Sequence, residues 1–116
     1  MRYKEFKDYR QRMNEKIMEE GSLQTKRFFS LDTNVYRDGK ISAKTKELLG
    51  LVVSMVLRCN DCILYHLDRC IELGYTNEEL YEAMDVALIV GGSITIPHLR
   101  YAYEMIEKIR KEKFNE

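Results

Sequence analysis

Proline occurs once and glycine six times in 116 residues, too little of either to punctuate a β-rich or loop-rich chain. With Lys, Glu, Leu, Met and Tyr abundant, the composition reads as all-α, a single-domain helical bundle over residues 1–116. An excess of charge of one sign is also missing. Lys plus Arg number 19 and so do Asp plus Glu, which argues against nucleic acid or an anionic membrane surface as a partner held by bulk electrostatics. Nor is there a long hydrophobic run: the longest nearly unbroken apolar stretch, Leu48 to Leu57, falls far short of the roughly 18 residues a membrane span needs. Met1 to Asp8 contain no apolar signal-peptide core, so the expected location is cytoplasmic. Three cysteines cannot all pair within one chain. In a reducing compartment, two of them at close spacing point to catalysis or metal binding more than to a structural staple.

What is present is helical periodicity. Tyr3, Phe6, Tyr9, Met13 and Ile17 form one apolar stripe of a helix over about 3–20, which Gly21 ends. Residues 21–41 read as a loop holding a short helical turn, because Asp32-Thr33-Asn34 and Arg37-Asp38-Gly39-Lys40 are turn chemistry around the apolar Phe28, Phe29 and Leu31. Ser42 caps a helix whose body, Leu48 to Leu57, is apolar all round, so this helix is expected to be central and buried. The next helix starts between Cys59 and Asp61 and stops at Gly74. Thr76 and Glu79 make a capping box that opens a helix to about Val90. Gly91-Gly92-Ser93 break it, and Pro97 marks the first turn of a last helix running toward Lys113. The expected domain thus has a core over about 40–112 preceded by the helix of about 3–20.

The chemistry is concentrated in Cys59-Asn60-Asp61-Cys62-Ile63-Leu64-Tyr65-His66. If one helix includes all three, Cys59, Cys62 and His66 fall within a roughly 60° arc of its face. At a helix N-terminus the free N–H groups and the dipole favour thiolate, the reactive form. His66, one turn after Cys62, can exchange a proton with that sulfur directly or through a water. A zinc site built from Cys59, Cys62, His66 and Cys70 fails on geometry, because Cys59 and Cys70 would stand roughly 16 Å apart along one helix. A thioredoxin-like site would need a preceding strand, and the preceding residues are helical. Cys70 reads as a small buried hydrophobe. Glu47, near the start of the apolar helix, becomes a proton carrier if packed toward the thiols. Tyr65 and His98 read as packing or interface residues.

Glu47, Cys59 twelve residues on, Cys62, and His66 four beyond it resemble the signature of the carboxymuconolactone decarboxylase and alkylhydroperoxidase D-like superfamily. Lys44 to Leu49 leading into an apolar helix, and Gly91-Gly92-Ser93-Ile94 followed by Pro97-His98, extend the resemblance over about 40–112. It implies an all-α fold, assembly into trimers or hexamers, and thiol-dependent peroxidase chemistry without a cofactor or metal. Carried over, it makes Cys62 the thiol that attacks a small hydroperoxide, Cys59 the resolving thiol, and Glu47 with His66 a proton relay, with an external dithiol or protein reductant resetting the pair. This sequence departs from well-studied peroxidase members at Asp61, where they carry a histidine; Asp61 is expected to face solvent, nearly opposite the thiols. Two other activities fit the same resemblance: decarboxylation of a muconolactone, which does not depend on the cysteine pair, and non-enzymatic thiol–disulfide exchange with a partner. Eight tyrosines, six methionines and four phenylalanines favour a homo-oligomer, since such residues are enriched at interfaces.

Overall fold

The computed structural model describes residues 3–115. Six α-helices follow in chain order: α1 Tyr3–Glu20, α2 Leu23–Val35, α3 Ala43–Val56, α4 Asn60–Glu72, α5 Asn77–Gly91 and α6 Ile96–Phe114, with a single 3-10 turn, Ser93–Thr95, before the last. No strand occurs among the described residues, so the all-α expectation holds. No helix among them is long and apolar enough to cross a membrane.

The helix boundaries follow from local chemistry. Ser42 Oγ accepts the Thr45 N–H at 3.1 Å to start α3, and Thr76 and Glu79 form the expected reciprocal capping box at the head of α5. Pro97 occupies the first turn of α6, where its missing N–H costs nothing. α3 packs on α4 and α5, α4 on α6, and α1 on α6. Between them Leu51, Met55, Leu64, Leu67, Leu80, Met84, Ile106 and Ile109 are wholly buried. α1 is anchored at its start: Tyr3 and Phe6 join the core, and the Tyr3 hydroxyl donates to Asp68 at 2.6 Å. Lys113 at the end of α6 also donates to Asp68, at 2.7 Å. One buried-edge carboxylate on α4 therefore ties both terminal helices to the centre.

Two expectations are corrected. Residues 21–41 are not a loop with one helical turn; α2 is a 13-residue helix. Ser22 caps it by accepting the Thr25 N–H at 3.3 Å, and Lys46 Nζ donates to the Val35 and Arg37 carbonyls at 2.8 and 2.7 Å, the favoured placement of a cation at a helix C-terminus. The turn-forming residues Asp32 to Asn34 sit in its last turn, and none of its residues is fully buried, so no complete apolar face signalled it. The second correction concerns α3. It is central, but Leu49 and Val53 lie exposed, on the side away from the Leu51 and Met55 that α4 and α5 cover.

Candidate active site

The site starts where α3 ends. Arg58 adopts a left-handed conformation, φ 59°. Its N–H bonds to the Met55 carbonyl at 3.0 Å and the Cys59 N–H to the Ser54 carbonyl at 3.1 Å, a Schellman motif. The same motif closes α4 at Gly74, φ 98°. Only the second uses glycine. Holding a side-chain-bearing residue there costs about 1–2 kcal/mol, and the turn it makes swings Cys59 out of α3 to the N-cap of α4.

Cys59 is thus the cap and not a helical residue, so the three-residue arc is corrected to Cys62 and His66 within α4. Cys59 Sγ accepts the Cys62 N–H at 3.4 Å, and the two sulfurs are joined as a disulfide with Cα atoms 5.3 Å apart. Cys62 is exposed and Cys59 half-buried. Cys70 is wholly buried. Burial, with the Glu47 charge adding to it and Arg69 opposing, pushes its thiol up to about 12; it is the inert core side chain the sequence suggested.

Glu47 and His66 are brought together. Glu47 is 3% exposed and His66 8%, and Glu47 Oε2 lies 2.8 Å from His66 Nδ1. A carboxylate can only accept, so Nδ1 is the donor, and in a neutral ring the lone pair is then on Nε2. The second Glu47 oxygen faces the Arg69 guanidinium at 3.8 Å, and Arg69 is itself held by Glu72 at 2.9 Å. The buried carboxylate is therefore flanked by an imidazole on one side and a fixed cation on the other.

His66 looks into a cleft of about 350 Å³ between α1, α2 and α4, whose wall also includes Cys62, Asp61, Tyr65, Tyr36 and Arg10. His66 and Cys62 share this cleft; both lie one helical turn apart on α4, as the four-residue spacing predicts. Asp61 is exposed as expected but stands at the cleft rim instead of pointing away from it. Tyr65 sets its ring edge-on to His66 at 5.0 Å and receives the Arg10 guanidinium at 4.1 Å. His98 lies elsewhere, bonded through Nδ1 to Asn60 at 2.7 Å, where it ties the start of α6 to the start of α4. A larger depression of about 640 Å³ adjoins the cleft and shares Phe6, Arg10, Asn14 and Tyr65, but no thiol borders it. Cys62 and His66 line the smaller one.

Three contributors escape sequence reasoning. Tyr36, at the end of α2, stacks at a tilt on His66, ring centroids 5.6 Å apart. Gly50 of α3 underlies both: a Cβ there would come within 2.6 Å of His66 Cε1 and 2.8 Å of both His66 Nε2 and the Tyr36 hydroxyl. Arg69 is the third. A lone glycine inside an otherwise apolar helix is the one signal in the sequence that could have pointed here, because a glycine so placed usually serves packing.

Comparison with known proteins supports the resemblance. Residues 24–104 match the carboxymuconolactone decarboxylase family. Two crystal structures of a Thermotoga maritima protein are 56% identical, with TM-scores of 0.92 and 0.90; they cover 97% and 96% of this chain and 99% and 94% of their own. One is described as a carboxymuconolactone decarboxylase family protein for which a part in the antioxidative response has been suggested. A family protein of Legionella pneumophila is 29% identical with a TM-score of 0.79, covering 92% of this chain and 96% of that one. An uncharacterized protein of the Paracoccus denitrificans cox locus is 30% identical over 82 residues, 71% of this chain and 74% of its own length.

Proposed function

This chain belongs to the carboxymuconolactone decarboxylase family, and from that premise we propose that it is a thiol-dependent peroxidase that reduces hydroperoxides through Cys62 and Cys59. The observation that carries the reading is a sulfur pair whose Cys62 lines a cleft wall together with a histidine whose other nitrogen is held by a buried carboxylate. The suggested antioxidative role of the Thermotoga relative supports it.

In the reduced protein, His66 Nε2 takes the Cys62 proton through one bridging water, and Glu47 balances the imidazolium that forms. The Cys62 thiolate attacks the terminal peroxide oxygen, the O–O bond breaks, and the alcohol or water leaves with the proton His66 returns. Cys59 then attacks the sulfenic acid, water departs, and the disulfide forms. A dithiol or protein reductant attacks the exposed Cys62 sulfur, and Cys59 leaves as a thiolate stabilised by the N–H it accepts. Muconolactone decarboxylation gives this sulfur pair no role, whereas simple thiol exchange would use the same thiolate and is separated from the peroxidase reading by the peroxide test.

The test is stoichiometric. Reduced protein mixed with one equivalent of an alkyl hydroperoxide should lose two of its three thiols and gain a Cys59–Cys62 bond in a peptide map. Cys70, protonated far above pH 8, should remain. Thiols that survive the peroxide overturn the reading.

We also propose a homo-oligomer, a trimer or hexamer as the family resemblance implies. Leu49 and Val53 of α3 and Val86, Ile89 and Val90 of α5, which packs on it, are all exposed, and exposed apolar surface of this kind favours an interface. Light scattering should give three or six times 13.8 kDa; a monomer mass rules the assembly out.

A further inference from the structure

The chemistry just described uses two sulfurs, an imidazole and a carboxylate, and leaves several polar groups of the cleft idle, Asp61, Arg10 and the phenols of Tyr65 and Tyr36 among them. Of these, the Tyr36 phenol shares with His66 Nε2 the space over Gly50. The hydroxyls of Tyr3 and Tyr75 are engaged, with Asp68 and with the Lys44 carbonyl; that of Tyr36 bonds to no other described residue and opens on the cleft that holds Cys62 and His66. It and His66 Nε2 each lie 2.8 Å from where a Gly50 Cβ would stand, so the two atoms are at most about twice that distance apart, a gap that one oxygen atom can bridge with a hydrogen bond to each.

We propose that Tyr36 is a further catalytic residue, its O–H donating a hydrogen bond to the oxygen that leaves when Cys62 attacks a hydroperoxide. The inference rests on the peroxidase reading above. In the step it serves, an S–O bond forms between Cys62 and the terminal oxygen, and the O–O bond breaks with its electron pair passing to the departing oxygen. Sulfur is oxidised by two electrons and the peroxide is reduced by two. The proton that Cys62 gave to His66 is returned to the departing oxygen, and Tyr36 keeps its own, holding the negative charge while it develops. Burial, then the fields of Glu47, Asp32 and Tyr65, raise the Tyr36 acid above its usual range, so the phenol is a donor throughout the neutral region. Gly50 is what admits both groups: with a side chain at this position neither ring could lie where it does.

The test is Tyr36→Phe, which keeps the ring against His66 and removes only the O–H. Single-turnover rates of the reduced protein are measured with an alkyl hydroperoxide, whose departing alkoxide is strongly basic, and with a peroxy acid, whose departing carboxylate is not. The expected loss is on the order of 10²-fold for the alkyl hydroperoxide and much smaller for the peroxy acid, while iodoacetamide alkylates Cys62 at the wild-type rate. Equal losses on both oxidants, a parallel fall in alkylation, or no loss at all overturns the assignment. Wild-type protein that shows no Cys62-dependent peroxide step overturns the parent reading and this one with it, and that outcome is seen before any variant is made.

Discussion

Cys62→Ser should lower peroxide turnover by a factor on the order of 10³–10⁶, the range seen when a covalent nucleophile is removed, while Cys59→Ser should still consume one equivalent of peroxide. The contrast follows from where the turn at Arg58 leaves the two sulfurs. Cys62 sits exposed in the first turn of α4 and on the cleft wall, where substrate can reach it. A serine hydroxyl at that position is not ionised at neutral pH, so the attacking species is lost. Cys59 is half-buried at the cap, its sulfur receiving the Cys62 N–H. That N–H favours thiolate, which makes Cys59 a ready resolving nucleophile and, in the reductive half-reaction, a good leaving group. Without it the sulfenic acid on Cys62 has no internal partner and persists until an external thiol or a trapping reagent meets it. Trapping by a dimedone-type nucleophile, followed by peptide mapping, reads the site directly. The opposite pattern, a dead Cys59→Ser and an active Cys62→Ser, would reverse the two roles and place the first attack at the helix cap.

The sequence carried this pair well because its information is local. Cys59, Cys62 and His66 span eight positions, so one helix and its cap set their geometry. The caps at Ser42 and Thr76 and the first-turn Pro97 are equally short-range and stand where the residues placed them. What was not legible is what tertiary packing supplies. α2 buries no residue fully, and its turn-forming tail masked a helix that Ser22 opens and Lys46 closes from a distance of 11 residues. Tyr36 reaches His66 across 30 positions, and Gly50 is a gap whose meaning appears only once two rings are seen lying over it. The Cys59 cap was obscured for a different reason. A left-handed arginine in place of glycine gives no sequence signal, although the hydrogen bonds it completes match those at Gly74. Glu47 was readable as an acid on the right helix, but its burial, and the arginine 22 residues later that faces its second oxygen, were not.

That burial makes Glu47 the position of the second large effect, and the choice of substituent separates its two duties. Glu47→Gln keeps the shape, and its amide oxygen can still accept the His66 Nδ1–H, so the tautomer and the ring position survive. The variant should fold, with a loss of about 1–3 kcal/mol as the charge-assisted bond weakens and Arg69 loses its facing anion. Peroxide turnover should nevertheless fall by about 10²–10⁴-fold, the usual share of a proton relay, because no carboxylate is left to balance the imidazolium when His66 takes the Cys62 proton. Glu47→Ala adds a cavity beside wholly buried Leu51 and an orphaned imidazole N–H, for a total of about 2–5 kcal/mol. Chemical denaturation of the two variants, set beside their single-turnover rates, distinguishes the roles. If Glu47 only supports the fold, activity tracks stability and Glu47→Gln remains close to wild type. If it serves the relay, Glu47→Gln is more stable than Glu47→Ala yet nearly as inactive, and the rate of Cys62 alkylation near neutral pH falls with it, since the same proton must leave the thiol whichever electrophile arrives.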